Sequence, residues 1–314
     1  MSKALENRYE FVLLFDVENG NPNGDPDAGN MPRVDPETNV GIITDVCLKR
    51  KIRNVITMTQ DGKQGYEIFV QEKGILNQQI ERAYAESDDV KGALEAWQLW
   101  QKNKKKGSRP PKHYEDVAKD WMCCNFFDIR AFGAVMSTGD AKDDGENSKV
   151  RMTAGQVRGP IQLAFAKSVE PIVSREISIT RMAVTNEKDL EKERTIGKKS
   201  IVAYGLYRVE GYISAYLAEQ TGFSEDDLAL LWQALANMFD HDHSAARGTM
   251  SAHALVAFKH DSIMGNAPAH TLLSRLKVTR EASDKPARAY TDYTVSLDEA
   301  NMPKGVTIQK LLWT

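Results

Sequence analysis

The chain has 314 residues, with 41 lysines and arginines against 44 aspartates and glutamates and a net charge of −3. Such a length can bury a sizeable core and allows one elaborated domain or two. The near balance of charge argues against bulk, non-specific binding of nucleic acid, so any such site must be a local concentration of cations.

Two features bear on the cellular compartment. No apolar run approaches the roughly 20 residues of a membrane-spanning helix, and the N-terminal segment lacks the apolar core of a secretory signal. We therefore expect a soluble, cytoplasmic protein without a membrane partner. Cys47, Cys123 and Cys124 suit neither a disulfide framework nor paired zinc ligands, and we predict that all three are reduced.

The first elements combine a buried strand with a basic helix. The apolar run 9–17 predicts a strand covered on both faces or central in a sheet, and a loop rich in Asn, Pro, Gly and Asp follows at 19–27. Residues 42–56 predict a helix whose apolar stripe can pack on the sheet. Four cations crowd this helix: Lys49, Arg50, Lys51 and Arg53. The pattern indicates either a polyanion site beside the sheet or an ordinary solvated surface.

Residues 58–119 differ in character, and we interpret them as an insertion. Tyr66 to Val70 is a short strand candidate, residues 75–101 carry helical patterning, and residues 102–112 hold six cations. Pro110 and Pro111 block helix continuation there. We expect an inserted unit with a basic loop.

Strand patterns return in the second half. Residues 157–165 predict a strand with a bend at Gly159 and Pro160, where backbone could approach a ligand. Residues 176–184 and 200–207 predict an antiparallel pair with a long charged tip.

The last predicted elements are a helix and a strand. Ser224, with an acid three residues later, predicts a helix start, and residues 250–258 predict another strand. The framework order is then strand, helix, strand, strand, helix, strand, which indicates an α+β fold of the ferredoxin-like or RRM-like type. The exposed sheet and adjoining helix of that arrangement commonly bind RNA.

Three motifs leave alternatives open. The Asn19 to Asn30 loop has the spacing of a calcium loop but few anionic ligands, and a rigid turn is the alternative. His241 and His243 could serve as metal ligands or as a general acid and base, or lie solvated in a loop. Four tyrosines could form a core or a stacking platform for bases: Tyr204, Tyr207, Tyr212 and Tyr216.

Five blocks, taken together, resemble a known family. They are the Asn-Pro-Asn-Gly-Asp-Pro-Asp loop at 21–27, the basic helix at 44–53, Phe-Asp-Ile-Arg-Ala-Phe-Gly at 127–133, Val-Arg-Gly-Pro at 157–160 and His-Ser-Ala-Ala-Arg-Gly at 243–248. In this order they resemble the backbone subunit of the type I-C CRISPR Cascade complex, in the RAMP superfamily.

The resemblance implies a hand-shaped protein with an RRM-like palm at 1–59 and 121–314, a mixed α/β finger insertion at 60–120 and a β-hairpin thumb at 179–200. It implies copies polymerised head to tail along a CRISPR RNA, with target DNA and other Cascade subunits as partners. It implies no cofactor, no metal and no catalysis. The runner-up is a CRISPR transcript-processing endoribonuclease with His241 or His243 as acid-base catalyst, and a third option is a calcium-binding module.

The candidate site residues follow from the positions of the cations and from the resemblance. Phe132 and Gly133 would combine stacking with close approach of backbone, and Met182 or Ile196 could wedge a displaced base. The predicted RNA contacts are Lys49, Arg50, Lys51, Arg53, Arg130, Phe132, Gly133, Arg158, Arg181, Met182, Ile196, Lys198 and Arg247. The predicted DNA contacts are Lys102, Lys104, Lys105, Lys106 and Arg109.

Overall fold

The computed structural model describes residues 3–103, 109–137, 141–143, 149–181, 183, 195–280 and 285–314; positions 141–143, 149, 150, 181, 195 and 196 are described by their backbone alone. The strands are β1 Tyr9–Gly20, β2 Gly24–Asp25, β3 Met31–Pro32, β4 Val40–Ile43, β5 Gly133–Met136, β6 Ala141–Asp143, β7 Lys149–Arg151, β8 Gly155–Arg158, β9 Ile161–Leu163, β10 Ala166–Pro171, β11 Ser174–Arg181, β12 Thr195–Ile213, β13 Thr249–His260, β14 Leu276–Arg280, β15 Tyr293–Leu297 and β16 Val306–Trp313. The helices are α1 Asp45–Thr59, α2 Leu76–Glu86, α3 Asp88–Lys102, α4 Tyr114–Asn125, α5 Phe127–Phe132, α6 Ala215–Thr221, α7 Glu225–Asn237 and α8 Ala269–Leu273.

One large antiparallel sheet organises the chain. Its strand order is β16-β13-β1-β12-β10-β4, and β9 and β11 also pair with β12. The predicted first strand lies in the middle, where β1 pairs with β12 on one side and β13 on the other. The predicted strand at 250–258 is confirmed as β13.

Both faces of this sheet are covered. Along β1, Phe11 and Leu13 point to the layer of helices α1, α5, α6 and α7, while Val12 and Leu14 point to the opposite face. That second face lies under the C-terminal segment, which contributes Leu272, Leu273, Leu276, Tyr293 and Val306. The structure therefore differs from the expected exposed sheet, because residues 261–280 and 285–306 bury the face that an RRM-like arrangement would leave open.

Local signals place the helices beside the sheet. Thr44 caps α1, and its side chain accepts a hydrogen bond from the backbone N–H of Cys47. The predicted helix included Ile42 and Ile43, but these belong to β4, and α1 begins after the cap. Ser224 and Asp227 form a capping box at the start of α7, which confirms that predicted helix start.

Helices α2, α3 and α4 build a separate small core. Ile80 and Ala83 of α2 pack with Met122 of α4 and with Phe126, all fully buried. The strand predicted at 66–70 is reduced to one isolated bridge between Glu67 and Phe126. Within the described ranges, no helix has both the length and the apolar content needed to cross a membrane.

The antiparallel pair predicted at 176–184 and 200–207 is confirmed in part as a hairpin of β11 and β12, whereas residues 204–207 pair with β1. The register of the hairpin runs from Ser174 opposite Val202 to Arg181 opposite Thr195. Strand β12 has 19 residues, and its second half continues into the large sheet beside β1. The hairpin is therefore a direct extension of the sheet. The predicted thumb tip, including Met182, lies outside the described residues.

Candidate nucleic-acid interface

A groove of about 820 Å³ lies where four segments meet. We call it the basal groove. Its lining comes from the loop 21–31, the N-terminal turns of α1, the base of the β11–β12 hairpin and the loop 244–247. The first and last of these segments are two of the blocks that carry the family resemblance.

Asparagine side chains fix the loop 21–31 to the start of α1. Asn23 Oδ1 accepts hydrogen bonds from the Thr44 backbone N–H at 2.9 Å and from Thr44 Oγ1 at 3.0 Å. Asn21 Nδ2 donates to the carbonyl oxygen of Asn30 at 2.8 Å. These bonds agree with the rigid-turn interpretation of the loop. Among the described residues there is no group of three or more His, Cys, Asp or Glu side chains placed to hold a metal ion.

Two glycines let the loop 244–248 cross the end of β1 at contact distance. A Cβ on Gly20 would lie 1.7 Å from the carbonyl oxygen of Arg247, and one on Gly248, at φ +63°, would lie 2.3 Å from that of Glu18. The Asn21 backbone N–H donates to the carbonyl of Ala246 at 2.7 Å. Because no side chain fits between these backbones, the two loops form one continuous wall.

Four cations line the basal groove: Arg50, Lys198, Lys199 and Arg247. Lys198 forms an exposed ion pair with Glu176 at 2.7 Å, and Arg247 Nε lies 3.1 Å from Asp242 Oδ1. No described residue forms a hydrogen bond or ion pair with the side chain of Arg50 or Lys199. The four cations come from three separate elements, α1, β12 and the loop 244–247, and together they are suited to binding phosphate.

The other predicted cations of α1 do not reach this groove. Lys51 is 2% exposed and donates a hydrogen bond to Asp242. Burial lowers the pKa of Lys51, and the hydrogen bond that Lys51 donates to Asp242 opposes that shift. Arg53 Nε donates to buried Asp128 Oδ2 at 2.7 Å. Lys49, half-buried, pairs with Asp45 at 2.9 Å.

Arg130 is also buried and fully engaged. It donates to both carboxylate oxygens of Asp227, at 2.9 and 2.8 Å, and to the carbonyls of Gly65 and Cys123. Burial opposes the charge of Arg130, but the hydrogen bonds and charge of Asp227 outweigh it and raise the pKa of Arg130. The structure thus differs from the prediction for Lys51, Arg53 and Arg130, because carboxylates that the sequence places far away take up these cations.

Phe132 and Gly133, two predicted RNA contacts, make contacts within the protein. Phe132 is 7% exposed, and the Arg53 guanidinium lies 5.4 Å from its ring centre, so the ring offers no open face to a base. A Cβ on Gly133, at φ +82°, would lie 2.3 Å from the carbonyl oxygen of Val157, and one on Gly159 would lie 2.2 Å from the carbonyl carbon of Phe132. The close approach predicted at both glycines is between two protein backbones.

The remaining predicted residues that the structure describes with their side chains lie outside the groove. Arg158 is exposed on β8, and Lys102 and Arg109 are exposed on either side of residues 104–108. Lys104, Lys105 and Lys106 lie outside the described residues, and only the backbone of Arg181 and Ile196 is described.

The histidines and tyrosines whose roles the sequence leaves open differ in their exposure to solvent. His241 and His243 are exposed, and no described residue hydrogen-bonds to either ring. Tyr204 and Tyr207 are buried, whereas Tyr212 and Tyr216 are 36% and 58% exposed.

Sequence reasoning missed Lys199 and the two asparagines of the wall. Lys199 follows the predicted Lys198, and strand alternation would have put the two lysines on opposite faces. Both line the basal groove. Asn21 and Asn23 belong to the loop motif, but their roles appear only in the structure, where Asn23 accepts hydrogen bonds from Thr44 and Asn21 donates to the carbonyl of Asn30.

Comparison with known proteins places the chain in a family. A sequence profile of the family described as CRISPR-associated protein Cas7 matches residues 7–298. The chain belongs to this Cas7 family. The membership agrees, at the level of the family, with the resemblance seen in the sequence.

One individual relative shows how similar the chain is to another Cas7 protein. The CRISPR-associated protein Cas7 of Haloferax volcanii is 30% identical over 242 residues, which span 74% of this chain and 65% of that protein. The chain therefore spans less than two thirds of the length of this Cas7 relative.

Two solved structures are also similar to the chain. A chain of a CRISPR RNA-guided surveillance complex, pre-nicking, has a TM-score of 0.46 and 14% identity over 80% of this chain and 78% of that one. A chain of a CRISPR RNA-guided surveillance complex has a TM-score of 0.39 and 10% identity over 80% and 68%. Both TM-scores lie below 0.5, so the family assignment depends on the profile match.

Proposed function

We propose that this chain is the CRISPR RNA-binding backbone subunit of an antiviral, Cascade-type surveillance complex in the cytoplasm. Copies of it follow one another head to tail along the guide RNA, beside other Cascade subunits, and present the guide for pairing with target DNA. The subunit itself performs no catalysis. Membership of the Cas7 family supports this function, and one observation carries it: cations from α1, β12 and the loop 244–247 converge on the basal groove.

The chemistry of the groove suits a guide whose sequence varies. Arg50, Lys199 and Arg247 offer donors to phosphate oxygens, and phosphate contacts position a strand without reading its bases. Sequence is then read by pairing between guide and target, outside the protein's own contacts. The net charge of −3 suits a protein that concentrates its binding charge in one place.

We interpret the architecture as a type I-C hand with an RRM-like palm, a finger at 60–120 and a thumb at 179–200. The sheet order β13-β1-β12-β10 supports the palm. In the ferredoxin-like pattern of strand, helix, strand, strand, helix, strand, these four are the fourth, first, third and second strands. The continuity of β12 from hairpin into sheet supports the thumb.

The function is tested by isolating the full chain together with its nucleic acid. We expect co-purified RNA of uniform length with a recognisable repeat sequence. Recovery of the chain free of nucleic acid, together with failure to bind added CRISPR RNA, would contradict the proposal. Site-specific cleavage of repeat RNA by the pure chain would instead favour the endoribonuclease alternative.

The finger cations are proposed to meet target DNA. Lys102 and Arg109 are exposed at the edges of the lysine-rich segment that includes Lys104, Lys105 and Lys106. Replacing these three lysines with Glu is expected to weaken DNA capture by the RNA-loaded assembly while RNA-bound assembly survives, because the added charge repels a second polyanion. The control is Lys91→Glu on the same inserted unit. Equal loss of RNA binding and DNA capture would contradict the assignment.

A further inference from the structure

A chain of three charged residues connects the core to the basal groove. Lys51 on α1 donates a hydrogen bond to Asp242 Oδ2, and Arg247 Nε lies 3.1 Å from Asp242 Oδ1. The side chains of Lys51, Asp242 and Arg247 are 2%, 17% and 23% exposed, so exposure increases step by step toward the groove. The carboxylate of Asp242 therefore lies between a buried cation and a groove cation.

The contact uses only one side of the Arg247 guanidinium. Asp242 lies beside Nε, and no described residue accepts a hydrogen bond from the two terminal amino groups of Arg247. Arg247 lines the groove, whereas Asp242 and Lys51 do not. A planar guanidinium that is ion-paired on its Nε side leaves the fork of its terminal N–H groups open, and such a fork matches a phosphate.

Asp242 is itself held in place. It follows the C-terminal turn of α7, its backbone N–H donates to the carbonyl of Phe239, and the Lys51 ammonium lies 5.6 Å from the centre of the Phe239 ring. The charge of Arg247 disfavours the charged form of Lys51. Without the carboxylate, two cations would face each other at the edge of the core.

We propose that Asp242 is a positioning residue, which orients the guanidinium of Arg247 for a phosphate of the bound RNA and is anchored for this task by Lys51. This inference rests on the proposed function. It gives buried Lys51, a predicted RNA contact, an indirect role in binding. By restricting the Arg247 side chain before RNA binds, Asp242 would reduce the conformational entropy that this side chain loses on binding.

The test is a double-mutant cycle with a labelled single-stranded RNA and the full chain. Arg247→Ala is expected to weaken binding, and Asp242→Asn to weaken it by about 2- to 12-fold, the cost of ordering one long side chain. In the Arg247→Ala background, Asp242→Asn should have no further effect, because the orienting residue acts only through Arg247.

Two further variants separate orientation from charge and from folding. Lys51→Met with Asp242→Asn removes one charge of each sign, so the net charge is unchanged and no buried ion is left unpaired. It should weaken RNA binding as Asp242→Asn does. Asp240→Asn removes an exposed carboxylate two positions away, and its binding should stay within about twofold of the parent chain.

The outcomes distinguish the two proposals. If Arg247→Ala binds RNA as tightly as the parent, the groove assignment and the positioning role are both overturned. Two outcomes would overturn only the positioning role while Arg247→Ala still weakens binding. If Asp242→Asn tightens binding, Asp242 is an electrostatic competitor of phosphate. If Asp242→Asn weakens binding equally with and without Arg247, Asp242 is a purely structural residue.

Discussion

The basal groove and the layer of helices beside it use similar residues in opposite ways. In the groove, Arg50 is exposed and has no partner among the described residues, while three residues along the same helix Arg53 is buried against Asp128. Arg130, from another family block, binds Asp227 in the interior. The comparison teaches that a cation's neighbours in space, more than its place in a basic segment, decide whether it serves a ligand or the fold.

The largest expected effect concerns the buried side of this comparison. Asp227→Ala leaves the Arg130 guanidinium buried without its carboxylate and removes the capping box of α7, so the free energy of unfolding should fall by about 3 to 5 kcal/mol. Urea denaturation followed by circular dichroism measures it. Asp226→Ala, one residue away and exposed, is the control and should leave the midpoint almost unchanged. Similar losses in both variants would contradict a special role for the buried pair.

Arg53 and Arg50 test the comparison within one helix. Arg53→Met leaves the buried Asp128 carboxylate without its cation; among the described residues, its remaining hydrogen bonds come from the backbone N–H groups of Phe69 and Val70. The free energy of unfolding should therefore fall by about 3 kcal/mol. Arg50→Met should leave the unfolding midpoint unchanged. It should weaken RNA binding and reduce the slope of log affinity against log salt by about 0.7 to 1.

The two effects are measured by chemical denaturation and by fluorescence anisotropy over a salt series. A loss of stability for Arg50→Met, or an unchanged salt slope, would contradict the assignment of Arg50 to the groove.

The wall of the groove depends on the close crossing of the loop 244–248 over the end of β1. Two glycines with nearly the same positive φ can test this crossing. Gly248→Ala adds a methyl group 2.3 Å from a backbone oxygen at φ +63°, whereas Gly29→Ala at φ +62° meets nothing within 4 Å. The left-handed conformation costs both variants about 1 to 2 kcal/mol. Gly248→Ala should lose about 1 to 3 kcal/mol more from overpacking and should also bind RNA less tightly. Equal unfolding midpoints for the two variants would contradict the crossing.

The smallest expected effect concerns the exposed ion pair at the hairpin base. Glu176→Gln frees Lys198 from its partner, so RNA binding should tighten by no more than about fivefold, while the unfolding midpoint stays unchanged. Anisotropy at low salt measures the change, and Glu219→Gln, on the exposed side of α6, is the control. Weaker RNA binding in Glu176→Gln would show that the carboxylate contributes to the site.

Much of the framework could be predicted from local pattern. The continuous apolar run became β1, buried on both faces, and Ser224 began α7 through a capping box. The predicted pair at 176–184 and 200–207 overlaps the hairpin in which residues 174–181 pair with residues 195–202. These features depend on periodicity, capping and pairing of neighbouring segments, which are properties of short stretches of chain.

The covering of the second sheet face could not be predicted in this way. Residues 261–306 carry few strong periodic signals, yet they contribute Leu272, Leu276 and Tyr293 to that face. Their role depends on contacts between residues far apart in sequence. The same limit made residues 66–70 a predicted strand, although they form only one bridge.

The sequence by itself determined the family, the central strands and the fact that cations concentrate on α1. The tertiary structure decided which of those cations face the basal groove, because the carboxylates of Asp128 and Asp242 arrive from distant segments and pair with Arg53 and Lys51. A buried guanidinium or ammonium must be paired, whereas an exposed one can remain available to a ligand. The burial of each side chain, and therefore its role, is fixed only when the helices pack against one another.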